Sequence, residues 1–101
     1  METDFKEPIF YYNGDYSGFM NASKLAIDGI LLSNNSVIPD IKVIMIEFSF
    51  PNSEIIIEAQ TELTHQENRF YLKFVNIDNF SLENIKRFIN SKAKSHISFE
   101  L

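Results

Sequence analysis

Apolar and polar residues alternate along several segments of this chain, and this period of two is the feature that most constrains its fold. In the stretch 41–50, Ile44, Ile46 and Phe48 occupy alternate positions, and the same alternation recurs over 69–75. A period of two is typical of strands with one buried face. The pattern therefore predicts antiparallel strands whose inward faces share one core.

Turn-forming residues divide the chain into about six such strands. The strongest local signal is Asn13-Gly14, because this pair readily adopts the positive φ angles of a tight hairpin turn. Further turns are predicted at Pro51-Asn52-Ser53 and over the polar stretch 64–68. The predicted strands cover residues 9–12, 16–24, 29–32, 41–50, 54–63 and 69–75.

The hydrophobic period changes near the C-terminus. Ser81 is the predicted N-cap of a helix that runs to about Ser91, followed by a tail over 92–101. Four apolar residues share one face of this helix: Leu82, Ile85, Phe88 and Ile89. The cations of its later turns suit the negative end of the helix dipole.

The fold class that follows is mainly β: a small six-stranded antiparallel barrel over about 9–76 with one C-terminal α-helix. Closure into a barrel removes exposed strand edges, and the helix is expected to cover an opening or a flank. The chain has 101 residues, which predicts a single domain over 1–101. Hydrophobic residues make up 45% of it, enough to build a core.

The charge balance and composition exclude several function classes. A net charge of -5 argues against nucleic-acid binding and against docking on anionic lipid. The chain has no cysteine, so thiol chemistry and disulfides are excluded. It has no signal-peptide pattern and no apolar stretch near the roughly 20 residues of a membrane span. A cytoplasmic protein without membrane insertion is the expectation.

The order and spacing of these elements resemble the PilZ domain family. The likeness runs from Ile9 to Ser91 and rests on the Asn13-Gly14 hairpin, the Asp28-Gly29 strand start and the Phe74–Asp78 segment that leads into the helix. The resemblance implies a six-stranded barrel with a C-terminal helix. It also implies descent from bacterial receptor modules for cyclic di-GMP.

The nucleotide-binding motifs of that family are degraded in this chain. The family uses an Arg-x-x-x-Arg segment before the first strand, whereas the arginines here are Arg69 and Arg87. Its second motif, D/N-x-S-x-x-G, aligns with residues 24–29 and keeps Gly29; a competing register keeps Asn21 and Ser23 but loses the glycine. Without bidentate arginines, tight binding of two phosphates is not expected. The resemblance thus implies a divergent module that acts through protein contacts in bacterial motility, pilus or secretion control.

Lys24, Asp28 and Gly29 are the candidate ligand-binding residues of the alternative reading, a cyclic di-GMP or other nucleotide receptor with a remodelled site. In the competing structural interpretation, Gly29 fills a positive-φ or bulge position and Lys24 is solvated.

Phe10, Tyr11, Tyr12 and Phe19 are the candidate protein-interface residues. Phe10 and Tyr12 fall on one face of their strand, and Ile9 and Tyr11 fall on the other. The aromatic run is either buried between barrel and helix or exposed as a protein-binding surface, with Phe5 and Phe19 nearby favouring the second.

No catalytic constellation is recognisable. His65 falls in a predicted polar turn without an acid-base partner, and Glu47, Glu58 and Glu62 are expected on a solvated strand face. No P-loop, Rossmann fingerprint or nucleophile elbow is present. We therefore predict a binding module, not an enzyme, that uses no cofactor or metal.

Overall fold

The computed structural model of the chain describes residues 2–98, with side chains through residue 93. The described residues form seven strands and one helix, in the order β1 (Glu2–Asp4), β2 (Pro8–Asn13), β3 (Tyr16–Ala26), β4 (Gly29–Leu32), β5 (Val43–Ser49), β6 (Ile56–Gln66), β7 (Arg69–Ile77) and α1 (Asn79–Ser98). No helix among these residues combines the length and apolar character that a membrane crossing requires.

Six of the strands close into an antiparallel barrel, which confirms the predicted fold class. The hydrogen-bonded order is β3-β2-β5-β6-β7-β4, and β4 pairs back with β3 to complete the circle. The seventh strand, β1, was not predicted, since its sequence Glu-Thr-Asp is short and polar. It pairs with residues 24–26 of β3, beyond the point where the β2 pairing stops.

The inward faces of the strands meet in one hydrophobic core, and the alternation predicted for residues 44–50 is confirmed. Ile44 and Ile46 have no exposed surface, while Phe48 is 4% exposed. Thr61 is the buried polar exception of the strands, and its hydroxyl donates a 2.8 Å hydrogen bond to the carbonyl of Ile44. The bond satisfies a hydroxyl that would otherwise be costly to bury.

The predicted hairpin is confirmed, but its two-residue loop is Gly14-Asp15, because Asn13 still belongs to β2 and pairs with Tyr16. Gly14 adopts φ 59°, and Asp15 after it does not have a positive φ. This is the pattern of a type II′ turn, whose twist matches that of the strands it joins.

The turn predicted over 64–68 is narrower than expected. Only Glu67 and Asn68 form the loop between β6 and β7, with φ angles of 52° and 64°. The prediction that His65 lies in a turn is wrong, because it lies on β6, where its ring stacks on Phe70 at 4.3 Å between centroids.

Several predicted strand ends were displaced by about two residues. The strand predicted over 41–50 spans Val43–Ser49, and the strand predicted over 54–63 spans Ile56–Gln66. β3 also continues to Ala26, two residues past its predicted end. β6 continues through Thr64, His65 and Gln66 because β7 pairs with these polar residues, so polarity did not mark the end of that strand.

The prediction that Ser81 caps the helix is wrong. The carboxylate of Asp78 accepts a 2.7 Å hydrogen bond from the backbone N–H of Ser81, so Asp78 is the capping residue and Ser81 lies within the first turn. The helix also passes its predicted end at Ser91 and continues to Ser98. Of the predicted tail, residues 99–101 lie outside the described part of the chain.

The apolar face predicted for the helix packs against the barrel. Ile85 and Ile89 are buried, and the ring of Phe88 stacks on Phe50 at 4.7 Å between centroids. Phe5, just after β1, contacts Phe88 edge-on at 5.7 Å. These aromatic contacts seal one opening of the barrel beneath α1.

Candidate interaction site

The structure brings Lys24, Asp28 and Gly29 together on one depression of about 370 Å³. This depression lies on the outer surface where β4 joins β3 to β7, and we name it the seam face. Its lining is Glu2, Lys24, Ala26, Asp28, Gly29, Ile30, Leu31, Thr64, Gln66, Tyr71, Leu72 and Lys73. Two lysines are therefore balanced by two carboxylates in the same lining.

Lys24 is already engaged by acidic groups of the chain itself. Its ammonium lies 3.3 Å from Asp4 and 3.9 Å from Glu2, both carried by the neighbouring strand β1. Asp4 is the direct cross-strand partner of Lys24. A phosphate at this position would compete with two carboxylates for one ammonium.

Gly29, the first residue of β4, lies where the backbones of β4 and β7 approach each other closely. A Cβ built at this position would overlap the carbonyl oxygen of Leu72 on β7. Among the described glycines only Gly14 has a positive φ, and the irregularity in β3 lies between Ala22 and Lys24. The prediction that Gly29 fills a positive-φ or bulge position is therefore wrong. Asp28 contributes its backbone, whose carbonyl accepts a 2.9 Å hydrogen bond from the N–H of Phe74.

Phe10, Tyr12 and Phe19 form a second cluster on the outside of the barrel. The ring centroids of Phe10 and Phe19 are 5.4 Å apart, and those of Phe10 and Tyr12 are 5.9 Å apart. Phe19 is 66% exposed, and it lies directly opposite Phe10 in the β2–β3 pair. We name this outer surface of β2, β3, β5 and β6 the aromatic face; it comprises Phe10, Tyr12, Phe19, Glu47, Ile56 and Glu58.

The aromatic run thus divides between the two sides of the barrel wall. Phe10, Tyr12 and Phe19 face outward, away from the core beneath the helix, as the protein-interface reading requires. Tyr11 faces inward, packs against the core and covers Gly18, so it does not belong to this outer surface. Phe5 is 2% exposed and belongs to the core as well. Strand alternation explains the inward side of Tyr11, because neighbouring residues of a strand point to opposite sides, whereas Phe5 lies in the connection between β1 and β2.

Sequence reasoning missed the part that β5 and β6 play in this face. Glu47 lies opposite Phe10 on one side and opposite Glu58 on the other. Ile56, at the start of β6, is 54% exposed and lines a depression of about 370 Å³ with Phe10 and Phe19. The outward parity of Glu47 was visible in the sequence, but strand order was needed to place it beside Phe10.

Glu47 is the one described group whose acidity is clearly perturbed. Burial raises the pKa of Glu47 above its ordinary value of 4.5, and the hydrogen bond and negative charge of Glu58 raise it further. Glu62, which was grouped with these two in the sequence, lies instead between Val43 and Lys73. Residues 2–93 hold no cluster of three acidic or histidine side chains that could bind a metal ion.

Comparison of the sequence with models of known protein families and with curated proteins finds no match.

Proposed function

We propose that this chain is a divergent PilZ-like binding module that acts through protein contacts made by its aromatic face. The six-stranded barrel with its C-terminal helix is the architecture that the resemblance implies. The same resemblance suggests a place in bacterial motility, pilus or secretion control. Cyclic di-GMP is not the ligand in this proposal.

The observation that carries the proposal is the outward cluster of Phe10, Tyr12 and Phe19. Aromatic side chains are enriched in the cores of protein interfaces, where they bury large areas. Here Phe10 and Phe19 line a depression on the barrel wall, Tyr12 lies beside Phe10, and Phe19 keeps about two thirds of its surface exposed. The cluster lies outside the hydrophobic core, which is built from the opposite side of the barrel wall.

Site-specific photo-crosslinking in cells of the source organism tests the proposal. A photoreactive phenylalanine replaces Ser17, which is exposed and lies opposite Tyr12. The control variant carries it at Gln66 on the seam face. We expect one discrete adduct from position 17, identifiable by mass spectrometry and lost when Phe10→Ala and Phe19→Ala are added. An adduct from position 66 alone would contradict the proposal.

A nucleotide receptor is the second candidate, and one observation favours it: Lys24, Asp28 and Gly29 line a single depression. Titration calorimetry with cyclic di-GMP separates the two candidates. We expect no saturable heat, because Lys24 is held by Glu2 and Asp4, and the described residues that line the seam face include no arginine. Saturable heat that disappears in Lys24→Ala would establish the receptor instead.

A further inference from the structure

The aromatic face presents a row of four side chains across four adjacent strands. Phe19 on β3 lies opposite Phe10 on β2, Phe10 lies opposite Glu47 on β5, and Glu47 lies opposite Glu58 on β6. Directly opposed residues of antiparallel strands have Cβ atoms about 4.5–5.5 Å apart. Two aromatic rings and two carboxylates therefore form one continuous strip on the outside of the barrel.

The two carboxylates of this strip are like charges at directly opposed positions of β5 and β6. Like charges that are directly opposed across a sheet are destabilising. The ion pairs of the described residues involve Lys24 and Lys86, and neither Glu47 nor Glu58 takes part in one. The raised pKa of Glu47 reflects the same arrangement, with burial as its largest cause and Glu58 as the next.

We propose that the aromatic face binds a basic segment of a partner protein, in which an arginine or lysine lies against Glu47 and Glu58 beside the ring of Phe10. The inference rests on the proposed function and adds the chemistry of the partner. A guanidinium at this point would pair with both carboxylates and lie next to an aromatic ring, two contacts that suit arginine in particular. An apolar neighbour of the basic residue would enter the depression lined by Phe19 and Ile56.

Charge complementarity selects this partner over the other occupants. The chain has a net charge of -5, and a second copy would bring another Glu47–Glu58 pair to the interface. Nucleic acid would place phosphates against the same two carboxylates. A cationic segment is the occupant that reverses the repulsion, and electrostatic attraction would also speed its encounter with an acidic protein.

Selection from a random peptide display library on the immobilised full-length protein tests the inference, with counter-selection on the Phe10→Ala/Phe19→Ala variant. We expect the enriched peptides to share an arginine or lysine flanked by apolar residues. The best enriched peptide is then labelled, and its affinity is measured by fluorescence anisotropy. Affinity should fall about tenfold or more in Glu47→Gln/Glu58→Gln, because charge-assisted hydrogen bonds are lost.

Glu62→Gln is the matched control, since it removes the same charge on β6 from a residue that lies opposite Lys73. The affinity of this variant for the labelled peptide should stay within about twofold of the wild-type affinity. Raising the salt concentration from about 50 to about 500 mM should weaken binding of the peptide to the wild type. Enriched peptides without a basic residue, or equal affinity in the double glutamine variant, would overturn the basic partner but leave the docking face standing. Failure to enrich any peptide over the phenylalanine variant would overturn both.

Discussion

The seam face and the aromatic face each contain a depression of about 370 Å³. Structural roles in the fold explain the residues of the seam face more fully than those of the aromatic face. On the seam face, β1 neutralises Lys24, and the backbone of β7 requires Gly29. On the aromatic face, Phe19 is largely exposed, and Glu47 lies opposite Glu58, a like-charge pair that lowers the stability of the fold. Lys24 and Gly29, which resemble a ligand motif, thus have structural roles. Exposed Phe19 and the opposed Glu47 are less well explained by the stability of the fold, and they are the better candidates for a function.

The largest effect should separate an aromatic residue of the core from one of the aromatic face. Phe5→Ala should lower the free energy of unfolding by about 3–5 kcal/mol, since it leaves a cavity among Phe48, Phe50 and Phe88. Phe19→Ala should cost about 1 kcal/mol or less, because only a cross-strand pair with Phe10 is lost. Urea unfolding followed by circular dichroism measures both. Equal losses of unfolding free energy would mean that Phe19 has a structural role like that of Phe5, and that the two aromatic residues do not differ in the way we describe.

Gly29→Ala should be the most damaging change on the seam face. The new methyl group would overlap the Leu72 carbonyl and force β4 and β7 apart, which we expect to cost about 3 kcal/mol. Gly14→Ala is the control: its Cβ meets nothing within 4 Å, so its cost of about 1–2 kcal/mol comes from the positive φ alone. If Gly29→Ala unfolded at the wild-type urea concentration, its close approach to Leu72 could not explain the glycine.

Neutralising Lys24 should have little effect on stability. Its ion pairs with Asp4 and Glu2 are partly exposed, and such pairs contribute about 0–1 kcal/mol. Lys24→Met should therefore lower the free energy of unfolding by less than about 1 kcal/mol, and added salt should shrink the difference. A loss that salt does not reduce would show that the ion pairs of Lys24 are not the source of its contribution on the seam face.

The contrast between the two faces also explains what the sequence could and could not predict. Strand alternation predicted the inward residues of β5 and the apolar helix stripe, because each depends on local periodicity. The short strand β1 carries no such period, so the partners of Lys24 were invisible before the fold was known. The Asp78 cap was missed because Ser81 fits the same preference for small polar residues, and only hydrogen-bond geometry distinguishes them.

For the candidate sites, as for the fold, the sequence predicted local features but not contacts between distant strands. Phe10, Tyr12 and Phe19 were identified as interface candidates from their residue types, and alternation already separated Tyr11 from Phe10. Two further facts depended on long-range strand order: Glu47 lies beside Phe10, and Glu58 lies beyond it. Register between strands distant in the sequence is set by the closure of the whole barrel, which no local pattern encodes.

The smallest expected effect tests the electrostatic cost of the aromatic face. Glu47→Gln should raise the free energy of unfolding at pH 7 by about 0.5 kcal/mol, because it removes a like-charge pair. The pKa of Glu47 is raised in the folded state above 4.5, so the folded protein binds its proton more readily than the unfolded chain does. The wild type therefore regains stability relative to the variant as the pH falls through the folded-state pKa. The difference between their free energies of unfolding should vanish below about pH 4.5.

Denaturant titrations of both proteins at pH 7 and about pH 4 measure this difference. Glu58 and Glu7 share this surface with Glu47, and Glu58→Gln should produce a smaller gain at pH 7, because it removes the like-charge pair but leaves Glu47 buried. Glu62→Gln should not, because Glu62 lies opposite Val43 and Lys73. If Glu47→Gln raised the free energy of unfolding equally at both pH values, the packing of the glutamine amide, and not the loss of charge, would explain the effect. A gain confined to pH 7 would show that the barrel tolerates an uncompensated charge pair on the surface that we propose binds a basic partner.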